Sequence, residues 1–184
     1  MTLDSFASPV SELQSRADTG AIVYAFGRSS LGHVLVARSA RGICALLIGS
    51  DRDRLTADLH RDFPDAYAVE TEAQLDIEIA AAVALIEAPQ SPTDLTFDLR
   101  GTDFEIAVWQ ALRTIPAGRT MSYSALAEAI GRKGMAREVG EACAMNRIAV
   151  AVPCHRILRK DGTISGYRWG VHRKRALLER EGVQ

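Results

Sequence analysis

The first half of the chain carries strand-like patterns followed by helix-like ones. Three apolar runs are separated by short polar segments containing Gly and Ser, a pattern typical of a small antiparallel sheet. These runs are residues 21–26, 33–37 and 43–48. Apolar positions at helical spacing then predict helices over 51–63 and 71–87. We therefore expect an α/β unit, with helices packed on a sheet, over residues 1–92.

The second half of the chain has a different hydrophobic pattern, one that predicts several short helices. Residues 89–92, which include two prolines, form the clearest linker, and alternation over 95–99 predicts one strand. Three helices are then expected. They cover residues 104–115, a segment that begins at Ser122 and carries inward-facing Leu126, Ala127 and Ile130, and residues 135–145. The last two have helix–turn–helix spacing, which suits nucleic-acid docking but which any two short helices can produce. A C-terminal, mostly helical domain over 93–184 is expected.

Composition narrows the class of protein. The 184 residues are 47% hydrophobic with a formal net charge of −1, so any nucleic-acid surface must be a local patch. No run reaches about 18 apolar residues, and the N-terminus lacks a basic and then apolar segment, so neither a membrane span nor a signal peptide is expected. Three cysteines without paired spacing favour a reduced, cytoplasmic protein, and Cys44 lies in an apolar run as core.

The most informative chemistry is the adjacent pair Cys154 and His155, which follows the apolar run 148–152. A thiol becomes a nucleophile as the thiolate, and a neighbouring imidazole can accept its proton. Asn146 fits two interpretations, either a left-handed helix end or an amide that ties the turn to Cys154. Glu181 could orient His155, although Glu179 competes for that place and a solvated terminal helix is the alternative.

Histidines and basic segments are the other features of the sequence that could form a site. His33 and His172 have no second ligand at zinc-like spacing, so no metal is expected. The basic segments 156–160 and 168–175, together with Arg132, Lys133 and Arg137, could hold phosphates, or they could form ordinary solvated faces.

The blocks around the Cys-His pair resemble those of the O6-alkylguanine-DNA alkyltransferases, the methylated-DNA–protein-cysteine methyltransferases. The resemblance rests on Pro153-Cys154-His155-Arg156 preceded by Asn146, and on ordered blocks at 101–109, 115–123 and 165–170. It covers residues 21–181 and looks most like the C-terminal methyltransferase domain of bacterial Ada proteins. It implies a ribonuclease H-like N-terminal unit and a winged helix-turn-helix-like C-terminal unit.

The resemblance also implies an activity. Cys154 would take a methyl or other alkyl group from O6 of guanine in duplex DNA, in one irreversible transfer that consumes the protein. O4 of thymine is left open as a further donor. His155 would act as the base through a water, oriented by Glu181, and Asn146 would be the hinge before the acceptor loop. No cofactor is implied, and a monomer acting on double-stranded DNA that contains O6-alkylguanine is expected.

The resemblance assigns binding roles as well. Tyr123 would help to rotate the damaged nucleotide out of the stack, and Arg137 would fill the gap left in the duplex. Tyr167, Arg168 and the backbone of Ile157 would line the guanine pocket.

Two acids depart from the family's pattern on the helix that would meet DNA. Glu138 stands directly after Arg137, where the family usually has a small residue, and Glu141 lies three positions on, on the same side of the helix. Carboxylates that face phosphates weaken binding, most at low salt. They either point away and pair with Arg132, Lys133 or Arg147, or reduce DNA affinity. Three alternatives stay open: a damage-binding protein without transfer, alkyl transfer from a small molecule or non-duplex donor, and a cysteine hydrolase.

Overall fold

The computed structural model describes residues 21–69 and 74–183. Its strands are β1 Val23–Ser29, β2 Gly32–Ser39, β3 Gly42–Gly49, β4 Tyr67–Ala68, β5 Met121–Ser122 and β6 Ile157–Leu158. Its helices are α1 Arg52–Asp62, α2 Asp76–Glu87, α3 Asp103–Arg113, α4 Tyr123–Ala129, α5 Ala136–Ala144 and α6 Val171–Arg180, with a 3₁₀ turn over Cys154–Arg156. The predicted mixed α/β class, with a small N-terminal sheet and a mostly helical second half, is confirmed.

The N-terminal sheet has the strand order β3-β2-β1-β4. The three predicted strands pair antiparallel, and their apolar runs form the core, with Val34 to Ala37 fully buried. The sheet also has a fourth strand that the sequence did not predict, β4, which adds to β1 in parallel. That strand has only two residues, too short for an alternation pattern to reveal it.

Two helices cover the sheet. α1 begins where Asp51 accepts a hydrogen bond from the Arg54 amide and packs Leu55 and Leu59 inward. The sequence predicted that α2 would start at residue 71, and in the structure it begins at Asp76. Residues 70–73 lie outside the described part of the chain. Residues 1–20, where no signal peptide was expected, also lie outside it.

The strand predicted over 95–99 is wrong in extent. Within this segment only Phe97 forms a bridge, to Ile43, through two backbone hydrogen bonds of 2.9 and 2.8 Å that flank it. Asp98 is buried and accepts hydrogen bonds from the Ser39 hydroxyl and the Arg100 guanidinium. The alternating pattern over 95–99 therefore arises in part from this buried ion pair and not only from a strand.

The edge strand β3 also supports the second half of the chain. The Leu46 amide donates to the Arg147 carbonyl at 2.9 Å, and the Ala149 amide donates to the Leu46 carbonyl at 2.8 Å. The segment that leads to Cys154 is thereby fixed on the N-terminal sheet, and one continuous core contains buried residues from both halves. The domain boundary between residues 92 and 93 stays a prediction.

Three short helices and a two-stranded ladder hold the second half together. α3 starts with a capping box between Thr102 and Glu105, and the Trp109 indole donates to the Ala142 carbonyl at 2.8 Å, which fastens α3 to α5. β5 pairs in parallel with β6, so the start of α4 lies beside the segment that follows the Cys-His pair. The helix–turn–helix predicted from spacing is formed by α4 and α5.

Candidate active site

Cys154 lies at the start of the 3₁₀ turn and is 5% exposed. The Asn146 amide nitrogen donates to its Sγ at 3.3 Å and to the Val152 carbonyl at 2.9 Å. The Asn146 carbonyl oxygen accepts from the Ile148 amide at 2.8 Å. Asn146 thus joins the end of α5 to the thiol. The contact is made to the Cys154 sulfur, whereas the sequence interpretation expected the amide to bond the Cys154 backbone.

The other interpretation, a left-handed helix end at Asn146, is wrong. α5 ends at Met145 with right-handed geometry, and among the described non-glycine residues the positive φ falls on Val150, at 65°. A β-branched residue in this region is strained by roughly 1–3 kcal/mol. The strain is held by the pairing of Ile148 and Ala149 with the sheet edge on one side and by Asn146 on the other. The segment before the thiol is therefore rigidly positioned.

The Cys154 thiol needs a base. Burial raises its pKa, although the hydrogen bond from Asn146 and the positive charges of Lys174 and Arg168 act in the opposite direction. A buried thiol of this kind is protonated at neutral pH and becomes nucleophilic only when a neighbouring group accepts its proton.

His155 has the geometry of such a base. Its Nε2 lies 2.8 Å from Glu181 Oε1, and both side chains are fully buried. Because the carboxylate can only accept, Nε2 donates and Nδ1 keeps its lone pair. His155 Nδ1 is buried without a hydrogen-bond partner among the described residues, and burial lowers the pKa of His155, against the opposing effect of Glu181. A neutral imidazole is thus oriented with one nitrogen free to accept a proton.

Glu181 is held by more than His155. Arg156 donates from Nε to both carboxylate oxygens at 3.1 Å and from Nη2 to Oε1 at 2.9 Å, and the Gly118 amide donates to Oε2 at 3.1 Å. Burial alone would raise the pKa of Glu181, but the hydrogen bonds from His155 and Arg156 lower it to about 2. The carboxylate stays ionised and fixes the imidazole.

The low pKa of Glu181 predicts a loss of stability in acid. The folded-state pKa of about 2 lies below the ordinary 4.5, so the stability from these contacts is complete above pH 4.5 and is lost as the pH falls toward 2. We expect this group to contribute on the order of 3 kcal/mol to the free energy of unfolding across that window. Urea unfolding at several pH values, for the wild type and Glu181→Gln, measures it. An equally steep acid loss in the variant would contradict the assignment.

A cavity of about 220 Å³ opens beside the thiol. Its lining residues are Tyr123, Gly140, Cys143, Ala144, Cys154, Gly166, Tyr167 and Arg168. The structure thus brings three of the predicted binding residues, Tyr123, Tyr167 and Arg168, to one wall with the nucleophile. Ile157 lies outside this lining; it is fully buried in β6. A larger cavity of about 710 Å³ lies at the far end of the sheet, beside Arg38 and Thr96, and has no thiol or imidazole in its lining.

Lys174 and Ser165 are two members of this site that sequence reasoning missed. The Tyr123 hydroxyl and Ser165 Oγ are 2.6 Å apart, and Lys174 Nζ donates to Ser165 Oγ at 3.0 Å and to the Ile157 carbonyl at 2.5 Å. Lys174 is fully buried, and burial lowers its pKa. The available signal was its helical spacing from Leu177 and Leu178, which places it on the inward face of α6.

Only some of the basic residues predicted to bind phosphates are exposed on the surface. Arg156, Arg173 and Lys174 are buried and bind groups inside the protein. The exposed cations of these segments are Arg132, Lys133, Arg137, Arg159, Lys160 and Arg175. A basic run in the sequence does not separate a lysine that faces solvent from one that satisfies buried carbonyls.

An ion-pair cluster braces the cavity from the N-terminal side. Asp62, at the end of α1, accepts from Arg147 Nη2 at 3.1 Å and from Arg168 Nη2 at 3.2 Å. Arg168 also donates to the Asn146 carbonyl at 3.3 Å. Burial by itself would raise the pKa of Asp62, but hydrogen bonds and charge from Arg147 and Arg168 lower it, so the cluster is ionised at neutral pH. Arg147 is therefore not the partner of the two acids on α5.

The described residues carry neither a candidate metal cluster nor a candidate membrane-spanning helix. In the described ranges, no group of three or more His, Cys, Asp or Glu side chains could hold a metal ion. None of the described helices combines the length and the apolar character that a membrane crossing requires.

A buried thiol, an amide on its sulfur and an imidazole–carboxylate pair beside a helix–turn–helix define a protein with a candidate cysteine nucleophile. Residues 103–183 match the family model "6-O-methylguanine DNA methyltransferase, DNA binding domain". The bifunctional transcriptional activator/DNA repair enzyme Ada of Escherichia coli K12 is 47% identical over 161 residues, 88% of this chain and 46% of that protein. The methylated-DNA–protein-cysteine methyltransferase of Mycobacterium tuberculosis H37Rv is 54% identical over 88 residues, 48% of this chain and 53% of its own.

Solved structures are matched over more of their own length. The crystal structure of Mycobacterium tuberculosis OGT in complex with DNA is 33% identical, has a TM-score of 0.67, and matches 88% of this chain and 92% of its own. The crystal structure of the M. tuberculosis O6-methylguanine methyltransferase has a TM-score of 0.68 at 34% identity, over 87% of this chain and 92% of its own. The chain belongs to the O6-methylguanine-DNA methyltransferase family. It spans about half the length of the curated relatives it matches.

Proposed function

We propose that this chain repairs DNA by direct reversal, moving a methyl or other alkyl group from O6 of guanine to Cys154. The observation that carries the proposal is the buried Cys154 Sγ, bonded by Asn146 and followed by the His155–Glu181 pair, in a cavity beside the helix–turn–helix. Family membership supports the same reaction, since the family model matches residues 103–183, which contain all four of these residues, and a relative named as a methyltransferase is 54% identical over 88 residues.

In the proposed reaction, the thiol proton leaves toward His155 Nδ1, through a water, as the sulfur attacks the alkyl carbon. One S–C bond forms, the C–O6 bond breaks, and its electron pair stays on the guanine, which takes up one proton. The Glu181 carboxylate stabilises the imidazolium that results, as in other nucleophile–base–orienter arrangements. No cofactor is required because the alkylated base is the donor, and the thioether product leaves the protein consumed.

The proposed substrate is duplex DNA with one damaged guanine. O6 of a stacked base is out of reach of a cavity this small, so the nucleotide must be extruded at a cost of a few kcal/mol. Arg137, on the first turn of α5 with 88% of its side chain exposed, is placed to enter the gap, and Gly140 and Ala144 of the same helix line the cavity. Tyr123 would donate to the flipped base, with Tyr167 and Arg168 beside it.

Further parts of the proposal concern the protein's setting. All three cysteines are free and buried, which favours a reducing compartment such as the cytoplasm. We propose that the chain acts as a monomer, and that residues 1–92 form a scaffold domain that holds the acceptor segment in place for residues 93–184.

The direct test is stoichiometric. We expect a duplex with one radiolabelled O6-methylguanine to transfer label to the protein until one methyl group per molecule is bound, and then to stop. The control is the same duplex with unmodified guanine and labelled methyl elsewhere. Continued turnover would favour a hydrolase, while tight binding of the damaged duplex without label transfer would favour a damage-binding protein. Equal rates with free base, nucleoside and duplex would favour a non-duplex donor.

A further inference from the structure

Arg137 and Glu141 form an ion pair across one turn of α5. Arg137 Nε lies 3.1 Å from Glu141 Oε1, and the two side chains are 88% and 63% exposed. The spacing of four residues is the one that brings side chains together on a helix. Arg137, the cation expected to meet DNA, is therefore paired with a carboxylate of its own helix. The expected partners for this acid, Arg132, Lys133 and Arg147, were wrong.

The second acid on the helix behaves differently. Glu138 and Glu141 both line a shallow groove beside Phe104 and Met145, on the side of α5 away from the thiol cavity. Among the ion pairs of the described residues, none involves Glu138, and it contributes nothing to the wall around Cys154. The two acids share charge, helix and groove, and differ in their contact with Arg137.

This difference has a consequence for docking. To enter a duplex, the Arg137 guanidinium must leave Glu141, and the carboxylate left behind then stands close to phosphates. Glu141 therefore weakens duplex binding in two ways, because its ion pair with Arg137 is lost and because its carboxylate repels the phosphates. Glu138 weakens duplex binding through repulsion alone. Both effects weaken as salt rises, because the groups are exposed.

We propose that Glu141 is a positioning residue that holds Arg137 along α5 in the free protein and raises the threshold for its insertion into DNA. The proposal rests on the proposed function, in which Arg137 fills the gap left by the extruded nucleotide. Release of Arg137 becomes favourable where the duplex offers such a gap, and unfavourable on intact, fully paired DNA. Glu141 thereby weakens binding to a gapped duplex through the lost pair and through repulsion, and binding to intact duplex through repulsion alone.

The predicted effect is modest and specific. An exposed pair at this spacing corresponds to about a twofold change in an equilibrium constant. We expect Glu141→Gln to tighten binding to a gapped duplex several-fold at low salt. The increase in affinity caused by Glu138→Gln should be about half as large. In an Arg137→Ala background the two substitutions should become equal, because only repulsion remains.

The experiment is a double-mutant cycle on duplex binding. Fluorescence anisotropy at low and high salt would compare the wild type, Glu141→Gln, Glu138→Gln, Arg137→Ala and the two double variants, each on a duplex with one abasic position and on a fully paired duplex. The proposal expects coupling between positions 137 and 141 on the abasic duplex that is absent between 137 and 138. Equal effects of the two Gln substitutions in both backgrounds, or no duplex binding by any variant, would overturn it.

The same measurement keeps this proposal separate from the repair activity. Binding to an abasic duplex needs no methyl transfer, so coupling can be present in a protein that transfers nothing. If no label is transferred but positions 137 and 141 are coupled in binding, the proposed repair reaction is contradicted and the proposed role of Glu141 is supported.

Discussion

We expect Cys154→Ala to abolish methyl transfer while leaving the fold and duplex binding in place, and Cys143→Ala to retain transfer. Both thiols line the same cavity, so the pair is a matched test of which sulfur reacts. Asn146 donates to the Cys154 sulfur, and His155 is its immediate neighbour. Burial raises the pKa of Cys143 well above its ordinary range. Cys143 is therefore a wall of the cavity, and loss of its thiol removes no reacting atom.

The comparison is made by label transfer from an O6-methylguanine duplex, with binding to the same duplex followed by anisotropy. Loss of transfer by more than about 10³-fold is expected for Cys154→Ala, the order of effect seen when a nucleophile is removed. Transfer retained by Cys154→Ala, or lost in Cys143→Ala with an unchanged melting temperature, would place the acceptor elsewhere.

Glu181→Gln is expected to slow transfer by roughly 10²-fold or more and to destabilise the fold by about 3 kcal/mol. The rate falls because a neutral amide no longer stabilises the His155 imidazolium or imposes a single orientation on the ring. The stability falls because Arg156, which donates three hydrogen bonds to the carboxylate, keeps a buried charge without its counter-ion. Single-turnover rates and urea unfolding measure the two effects.

Glu179→Gln is the matched control for this change. Glu179 lies two residues earlier on the same helix and is exposed, so its substitution should alter neither quantity by more than a few tenths of a kcal/mol. Rates are compared at temperatures where both variants are fully folded, which separates chemistry from stability. A Glu181→Gln protein that transfers at the wild-type rate when folded would remove Glu181 from the mechanism.

The sequence predicted the centre of the site better than its periphery. Cys154 and His155 are adjacent, and Asn146 directly follows the end of a helix whose pattern is clear, so their proximity follows from local structure. The choice of Glu181 over Glu179 was left open by the acids alone. The helix register decides it: Leu177 is buried and Glu181 follows four residues later on the same side, while Glu179 points outward.

Long-range features could not be predicted in this way. The contact of Leu46 with Ile148, which positions the segment before Cys154, joins residues about a hundred positions apart and has no local pattern. The burial of Lys174 depends on the Ile157 carbonyl and Ser165, which approach only in the fold. The ion pair of Arg137 with Glu141 was available from spacing, but several other cations competed for the same acid.

The most direct test of the central claim is peptide-level mass spectrometry after reaction with an O6-methylguanine duplex. The account predicts a gain of one methyl group on the peptide that contains Cys154, located on its sulfur, with the peptides of Cys44 and Cys143 unchanged. A methyl group on another residue, or an unmodified protein recovered from a duplex that has lost its methyl group, would contradict it.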